Sequence, residues 1–105
     1  METEFPDYVN FYSTFSSPTK TLLKELLERN GWKIRKESWN DFECTNDWAE
    51  MNLLGDENNV LFKGIIANPE DNYKIIITLF ESINARFQSE LYNKDGSVLF
   101  QDKIL

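Results

Sequence analysis

The chain of 105 residues contains no histidine and a single cysteine. Without histidine, the sequence cannot form a Ser-His-Asp or Cys-His catalytic set, an HExxH motif or most zinc sites. Cys44 alternates with Phe42 and has no cationic neighbour in sequence that could activate it, so we expect a small apolar core residue. The four glycines lie far apart, which excludes a glycine-rich phosphate loop. These residue types favour a protein that is not an enzyme and needs no cofactor.

Carboxylates are the remaining candidates for chemistry. Asp41 and Glu43 lie two residues apart on a predicted strand, so both project from one face, as two catalytic carboxylates of a glycosidase could. A small meander seldom offers the sugar groove that this reaction needs. The segment Asp56–Asn59 carries oxygen ligands of the kind that calcium binds, but it lacks the spacing of a calcium loop. We therefore expect a polar turn there and no metal site.

The acidic residues are concentrated in the middle of the chain. The formal net charge is −7, and residues 1–36 and 63–105 contribute +1 and −1. Residues 37–62 contain no lysine or arginine and seven acidic residues: Glu37, Asp41, Glu43, Asp47, Glu50, Asp56 and Glu57. This acidity disfavours nucleic-acid binding, which needs cationic side chains. The segment is either a solvated surface or a surface that binds a cationic partner.

Two tryptophans, Trp39 and Trp48, lie inside the same acidic segment. Alternation places Trp48 opposite the face shared by Ala49, Met51 and Leu53. An exposed aromatic residue among carboxylates is typical of a binding hot spot. We therefore predict a partner-binding site made of the residues Trp39, Asp41, Glu43, Asp47, Trp48, Glu50, Asp56 and Glu57.

The hydrophobic pattern predicts helices first and strands afterwards. Aromatic residues at helical spacing predict a short helix over residues 8–15, and a second helix begins at Ser17-Pro18 and ends at Asn30-Gly31. After Gly31 the period becomes two, and Tyr73–Phe80, apolar on both faces, predicts a central strand. Residues 86–92 and 98–101 flank a predicted hairpin turn at 93–96. We expect a single α+β domain over residues 1–105, with one or two N-terminal helices packed on an antiparallel sheet of five or six strands.

No segment has the length or composition of a targeting or membrane-spanning sequence. The first ten residues contain two glutamates, an aspartate and a proline but no apolar core, unlike a signal peptide. The apolar stretches are far shorter than the ~20 residues of a membrane span. We expect a monomeric cytoplasmic protein that does not contact a membrane.

In its size, its acidity and its α+β order, the chain resembles bacterial toxin-immunity proteins of the contact-dependent growth inhibition type. The residues that carry the resemblance are the base-free run Glu37–Glu57 with Trp39 and Trp48. The resemblance implies a cytoplasmic protein that binds a cognate cationic toxin, with a ribonuclease domain best suited to an acidic surface, and blocks its active site. The alternative is an acidic secretion-type chaperone that acts as a homodimer and binds an unfolded effector segment through apolar patches.

Overall fold

A computed structural model describes residues 8–93 and the backbone of residues 98–104. Two helices interrupt a series of seven strands. The elements, in chain order, are β1 (Tyr8–Ser17), α1 (Lys20–Arg29), β2 (Lys33–Lys36), β3 (Phe42–Asn46), β4 (Ala49–Asp56), β5 (Asn59–Ala67), α2 (Pro69–Glu81), β6 (Arg86–Tyr92) and β7 (Val98–Ile104). None of the described helices is long and apolar enough to cross a membrane.

All strands form one sheet in the order β2-β3-β4-β5-β1-β6-β7, and every neighbouring pair is antiparallel. The prediction of an α+β fold with an antiparallel sheet is confirmed. Six strands have described side chains, and β7 adds a seventh at the edge. The predicted pairing of residues 86–92 with residues 98–101 is also confirmed, whereas residues 94–97 of its turn lie outside the described residues.

Both helices share one hydrophobic core with alternate residues of the strands. On β1 the buried residues are Val9, Phe11, Ser13 and Phe15. Phe80 of α2 joins the helix to the sheet, because its ring lies 4.7 Å from Phe15 and 5.4 Å from Phe87 between centroids. Burial of each such ring stabilises the fold by about 2–3 kcal/mol. The opposite side of the sheet, here called the open face, is covered by no described element.

Two segments have a secondary structure that differs from the prediction. Residues 8–15 were expected to form a helix but belong to β1, because this segment buries every second side chain against the helices. Tyr73–Phe80 was expected to form a central strand but belongs to α2. The helices are therefore not both N-terminal: α1 follows β1, and α2 lies between β5 and β6. On α2 the buried residues Tyr73, Ile76, Ile77 and Phe80 recur at helical spacing.

Helix α1 matches its predicted extent, with one change at its beginning. The N-cap is Thr19 rather than Ser17, since Ser17 still pairs with β6 and the Thr19 hydroxyl accepts a hydrogen bond from the Leu22 amide at 3.3 Å. The helix ends at Asn30 as expected, and Gly31 follows with a φ of +89°, which glycine adopts without strain.

Candidate functional site

The structure divides the predicted site among three places. Asp41, Asp56, Glu57 and Trp39 lie at one end of the sheet, in the β2–β3 loop and the β4–β5 turn. Glu43 and Glu50 lie on the open face, on β3 and β4. Asp47 and Trp48 lie in the β3–β4 turn, at the opposite end of these strands. The acidic run is therefore not one continuous surface.

The first of these places, here called the loop end, consists of residues 37–41 and 56–59. Both segments contact Lys20, the first residue of α1, whose side chain is only 1% exposed. The Lys20 ammonium donates hydrogen bonds to the Asn40 carbonyl and, at 2.8 Å, to the Gly55 carbonyl. Its Nζ also lies 3.8 Å from a carboxylate oxygen of Asp41. One buried cation thus joins the β2–β3 loop to the end of β4.

The β2–β3 loop has further internal hydrogen bonds that fix its shape. The Glu37 amide donates to the Asp41 carbonyl at 2.9 Å, and the Ser38 hydroxyl donates to the Asp41 carboxylate at 3.0 Å. The side-chain amide of Asn40 donates a hydrogen bond to the Gly55 carbonyl at 3.1 Å. Gly55 has a φ of +91°, and a Cβ there would overlap the carbonyl oxygen of Asn59, the first residue of β5. The loop end is therefore a defined structure.

Glu57 holds the other side of the loop end against α1. Its carboxylate accepts hydrogen bonds from the Thr21 amide at 3.2 Å and from the Thr21 hydroxyl at 2.8 Å. The Glu57 carbonyl accepts from the Lys20 amide at 3.0 Å. A carboxylate at the first turn of a helix is stabilised by the free amide groups and by the helix dipole. Glu57 therefore has a structural role in addition to its charge.

Trp39 is at the tip of this loop and is 91% exposed. The Lys36 ammonium lies 5.9 Å from the centre of the Trp39 ring. Glu37 and Asp56 are exposed and make no ion pair with a described residue. An accessible indole next to unneutralised carboxylates can contribute both apolar contact and charge to a partner.

The other predicted residues have different environments. Glu43 forms an ion pair with Arg35 at 2.9 Å, so its charge is neutralised within the open face. Glu50 and Asp47 are exposed and form no ion pair with a described residue.

The expectation that Trp48 is an exposed aromatic residue is wrong. Trp48 is half-buried and packs edge-on against Trp32, with 5.4 Å between ring centroids. Trp48 belongs to the turn before β4, where the alternation of the strand does not yet apply. Trp39 is therefore the tryptophan available to a partner.

The described residues include neither a cysteine with a lowered pKa nor a cluster of possible metal ligands. Cys44 is fully buried, as expected, and burial together with the nearby Glu28 and Glu43 carboxylates raises its pKa to about 12. A thiol with this pKa remains protonated and unreactive at neutral pH. No three side chains of the described His, Cys, Asp or Glu residues cluster as metal ligands would.

Sequence reasoning missed Lys20, which organises the loop end. Its position at the beginning of a helix predicts an exposed lysine, and only the folded chain brings it to Asn40 and Gly55. Comparisons with known proteins found no family model, no curated protein and no solved structure that matches this chain.

Proposed function

We propose that this protein is an immunity protein that binds a cognate cationic toxin domain, a ribonuclease domain, and blocks its active site with the loop end. The observation that carries the proposal is the 91% exposed Trp39 in an acidic loop that the buried Lys20 holds through the Asn40 carbonyl and the Asp41 carboxylate. Ribonuclease clefts bind phosphates through cationic side chains. Carboxylates at the loop end would occupy the positions of those phosphates.

The charge distribution supports a cationic partner at the loop end. It contains four carboxylates, Glu37, Asp41, Asp56 and Glu57, and Lys20, which contacts this region, is buried. A basic protein is attracted to such a region before contact, and this attraction raises association rates by ~10–10³ at low ionic strength. Trp39 would then supply the desolvated contact that a stable complex needs.

The rigidity of the loop end also favours binding. The hydrogen bonds from Lys20, Ser38 and Asn40 hold the loop before any partner arrives. Ordering a flexible loop costs binding free energy of about 0.5–1.5 kcal/mol for each immobilised side chain. A loop that is already ordered avoids much of this cost.

The test uses the protein encoded next to this one in the source genome. Expression of its toxin domain should arrest growth and cleave RNA, and coexpression of the present protein should prevent both effects. Calorimetry should show a complex whose affinity falls steeply between about 50 mM and about 500 mM salt, because the attraction is screened. Lack of protection together with lack of binding would disprove the proposal.

Two charge-reversal variants then test the location of the site. The double variant Glu37→Lys/Asp56→Lys changes two carboxylates that make no described ion pair, so it should fold normally and bind at least ~10-fold more weakly. The control variant Asp47→Lys reverses one exposed carboxylate at the opposite end of the strands. If Asp47→Lys weakens binding as much as the double variant, the loop end is not the toxin-binding site.

The second candidate function is a homodimeric secretion-type chaperone. It is favoured by the exposure of Tyr8, Tyr12 and Ile65 on the open face, since a chaperone needs accessible apolar surface. In that case, an unfolded effector segment would bind to the open face, and the Glu37→Lys/Asp56→Lys variant would bind it as the wild type does. Binding by the Glu37→Lys/Asp56→Lys variant therefore distinguishes the two functions.

A further inference from the structure

A concavity of about 340 Å³ lies on the open face, beside the loop end. Its lining comes from three adjacent strands and includes Thr14 and Ser16 of β1, Asn59 of β5, and Arg86 and Gln88 of β6. Each of these residues is exposed and adjoins a buried residue of its strand, so its side chain lies on the open face. Asn59 also belongs to the loop end. A concavity of this volume can hold a small organic molecule.

A β-bulge forms one wall of the concavity. The pairing of β1 with β6 shifts between Phe15 and Ser17, which leaves Ser16 without a partner on β6. The Ser16 hydroxyl donates a hydrogen bond to the Arg86 carbonyl at 3.5 Å, and Arg86 is directly opposite Ser17. Bulges bend a strand and redirect the side chains beside them, and they are frequent next to functional sites. We therefore expect the direction of the Arg86 side chain to depend on the bulge.

Arg86 gives the concavity a positive charge, and none of the residues that line it is acidic. The guanidinium forms no ion pair with a described residue. Asp56 is opposite Asn59 on β4, three strand spacings and therefore ~14 Å from Arg86, and Glu90 is four residues further along β6, at a similar distance. Exposed charges this far apart are largely screened at physiological ionic strength, where the Debye length is ~8 Å. A small anion can therefore approach Arg86 despite the acidity of the chain.

Neutral hydrogen-bond donors accompany Arg86 on all three strands. The Thr14 hydroxyl and the side-chain amides of Asn59 and Gln88 form no hydrogen bond with a described residue. A guanidinium binds two oxygens of an oxyanion at once, through parallel hydrogen bonds. The other donors approach from three strands and thus from different sides. A tetrahedral phosphate presents oxygens in several directions, whereas the two oxygens of a carboxylate lie in one plane, so the arrangement suits a phosphate better.

We propose that this concavity binds a phosphate group, either as inorganic phosphate or as part of a small phosphorylated molecule. Arg86 binds two of the phosphate oxygens, and Thr14, Asn59 and Gln88 donate hydrogen bonds to the others. The rest of a phosphorylated molecule occupies the volume that the phosphate leaves free. This site is separate from the proposed toxin binding and does not require it.

Nuclear magnetic resonance of the isotope-labelled full chain, at constant ionic strength, tests the inference. Inorganic phosphate and phenyl phosphate are added in separate titrations. The signals of the Arg86 side chain and of the Thr14 and Ser16 amides should shift and saturate at low millimolar concentration or below. Tighter binding of phenyl phosphate would identify a phosphorylated organic molecule as the ligand class, and equal affinities would identify free phosphate.

Two variants of Arg86 test its role. Arg86→Gln should weaken binding by ~10-fold or more, because hydrogen bonds to a charged group contribute this much. Arg86→Lys keeps the charge and loses the two parallel donors, so its affinity should lie between those of Arg86→Gln and the wild type. The unshifted signals of the core in the same spectra show that each variant is folded.

Arg29→Gln is the matched control, because Arg29 is an exposed arginine at the end of α1, outside the concavity. It should bind both probes as the wild type does. The absence of a saturable shift with either probe, or equal losses in Arg86→Gln and Arg29→Gln, would overturn the inference. Acetate that binds as tightly as inorganic phosphate would refute the assignment to phosphate. Because the titrations use the protein alone, their failure would leave the proposed toxin binding intact.

Discussion

Lys20→Met removes the buried ammonium that joins the loop end to α1 while keeping a side chain of similar length. The variant loses the hydrogen bonds to the Asn40 and Gly55 carbonyls and the ion pair with Asp41. Hydrogen bonds to a charged group are worth about 1.5–3 kcal/mol each. Part of the lost hydrogen-bond free energy is offset, because burial of the ammonium is itself unfavourable. In addition, the Gly55 carbonyl keeps its hydrogen bond from the Asn40 side chain. We expect the free energy of unfolding to fall by about 2–3 kcal/mol.

The assay is urea unfolding of both variants, followed by tryptophan fluorescence. Lys24→Met is the matched control, because Lys24 is on the same helix and forms a partly exposed ion pair with Glu28 at 3.3 Å. Its loss should cost less than about 0.5 kcal/mol. Hydrogen exchange of the Glu37 amide should accelerate in Lys20→Met and not in the control. An unfolding free energy of Lys20→Met within about 0.5 kcal/mol of the wild type would refute a structural role for the buried cation.

Two further predictions concern buried groups of the core. Because the Cys44 pKa is raised by burial from 9.0 to about 12, its thiol contributes stability that is present below pH 9 and is lost as the pH rises to about 12. Urea unfolding should show a decline of about 1 kcal/mol per pH unit in this range that Cys44→Ala lacks; equal slopes in the two proteins would contradict it. Ser13 and Ser89 face each other across β1 and β6, but the Ser13 hydroxyl has no hydrogen-bond partner among the described residues, whereas the Ser89 hydroxyl bonds a tyrosine hydroxyl at 2.7 Å. Ser89→Ala should therefore cost about 1–2 kcal/mol and Ser13→Ala close to nothing, and thermal melting that ranks them in the reverse order would contradict this account.

The sequence predicted those elements whose periodicity was unambiguous. Helix α1 has an apolar stripe, a terminal glycine and no competing alternation, and the hairpin of β4 and β5 has turn residues between two alternating strands. In β1 the polar Ser13 interrupts the buried face, so Tyr8, Phe11, Tyr12 and Phe15 fit helical spacing as well as a strand. Packing against the helices, which involves distant parts of the chain, decides between the two.

Helix α2 shows the opposite ambiguity. Its run of isoleucines has a high β-propensity, which favours a strand. Signals of a helix were nevertheless present, because Pro69 lies at the first helical position and Glu70 and Asp71 occupy the first turn. The helical face from Tyr73 to Phe80 packs on the sheet, and this packing outweighs a propensity that differs by at most ~1 kcal/mol per residue.

For the candidate site, the sequence identifies the acidic residues but does not show on which part of the fold each of them lies. The acidic run follows from composition, whereas the alternation of residues indicated Trp48 rather than Trp39 as the exposed tryptophan. The division of the run requires the register of β3 and β4, which places Glu43 and Glu50 on the open face. The role of Lys20 depends on contacts with residues 20 and 35 positions away in the chain. Such contacts result from tertiary structure and leave no local pattern.

The carboxylates of the acidic run differ in what they do for the fold, and this difference determines which of them can report on binding. Asp41 and Glu57 hold the loop end to α1, so their replacement would change its shape as well as its charge. Glu37 and Asp56 make no ion pair with a described residue, so their charge repels that of their neighbours at some cost to stability. A partner with cationic groups would relieve this repulsion. Removal of these two charges should therefore stabilise the free protein slightly while weakening the complex, whereas charges kept only for solubility would leave the affinity for any partner unchanged.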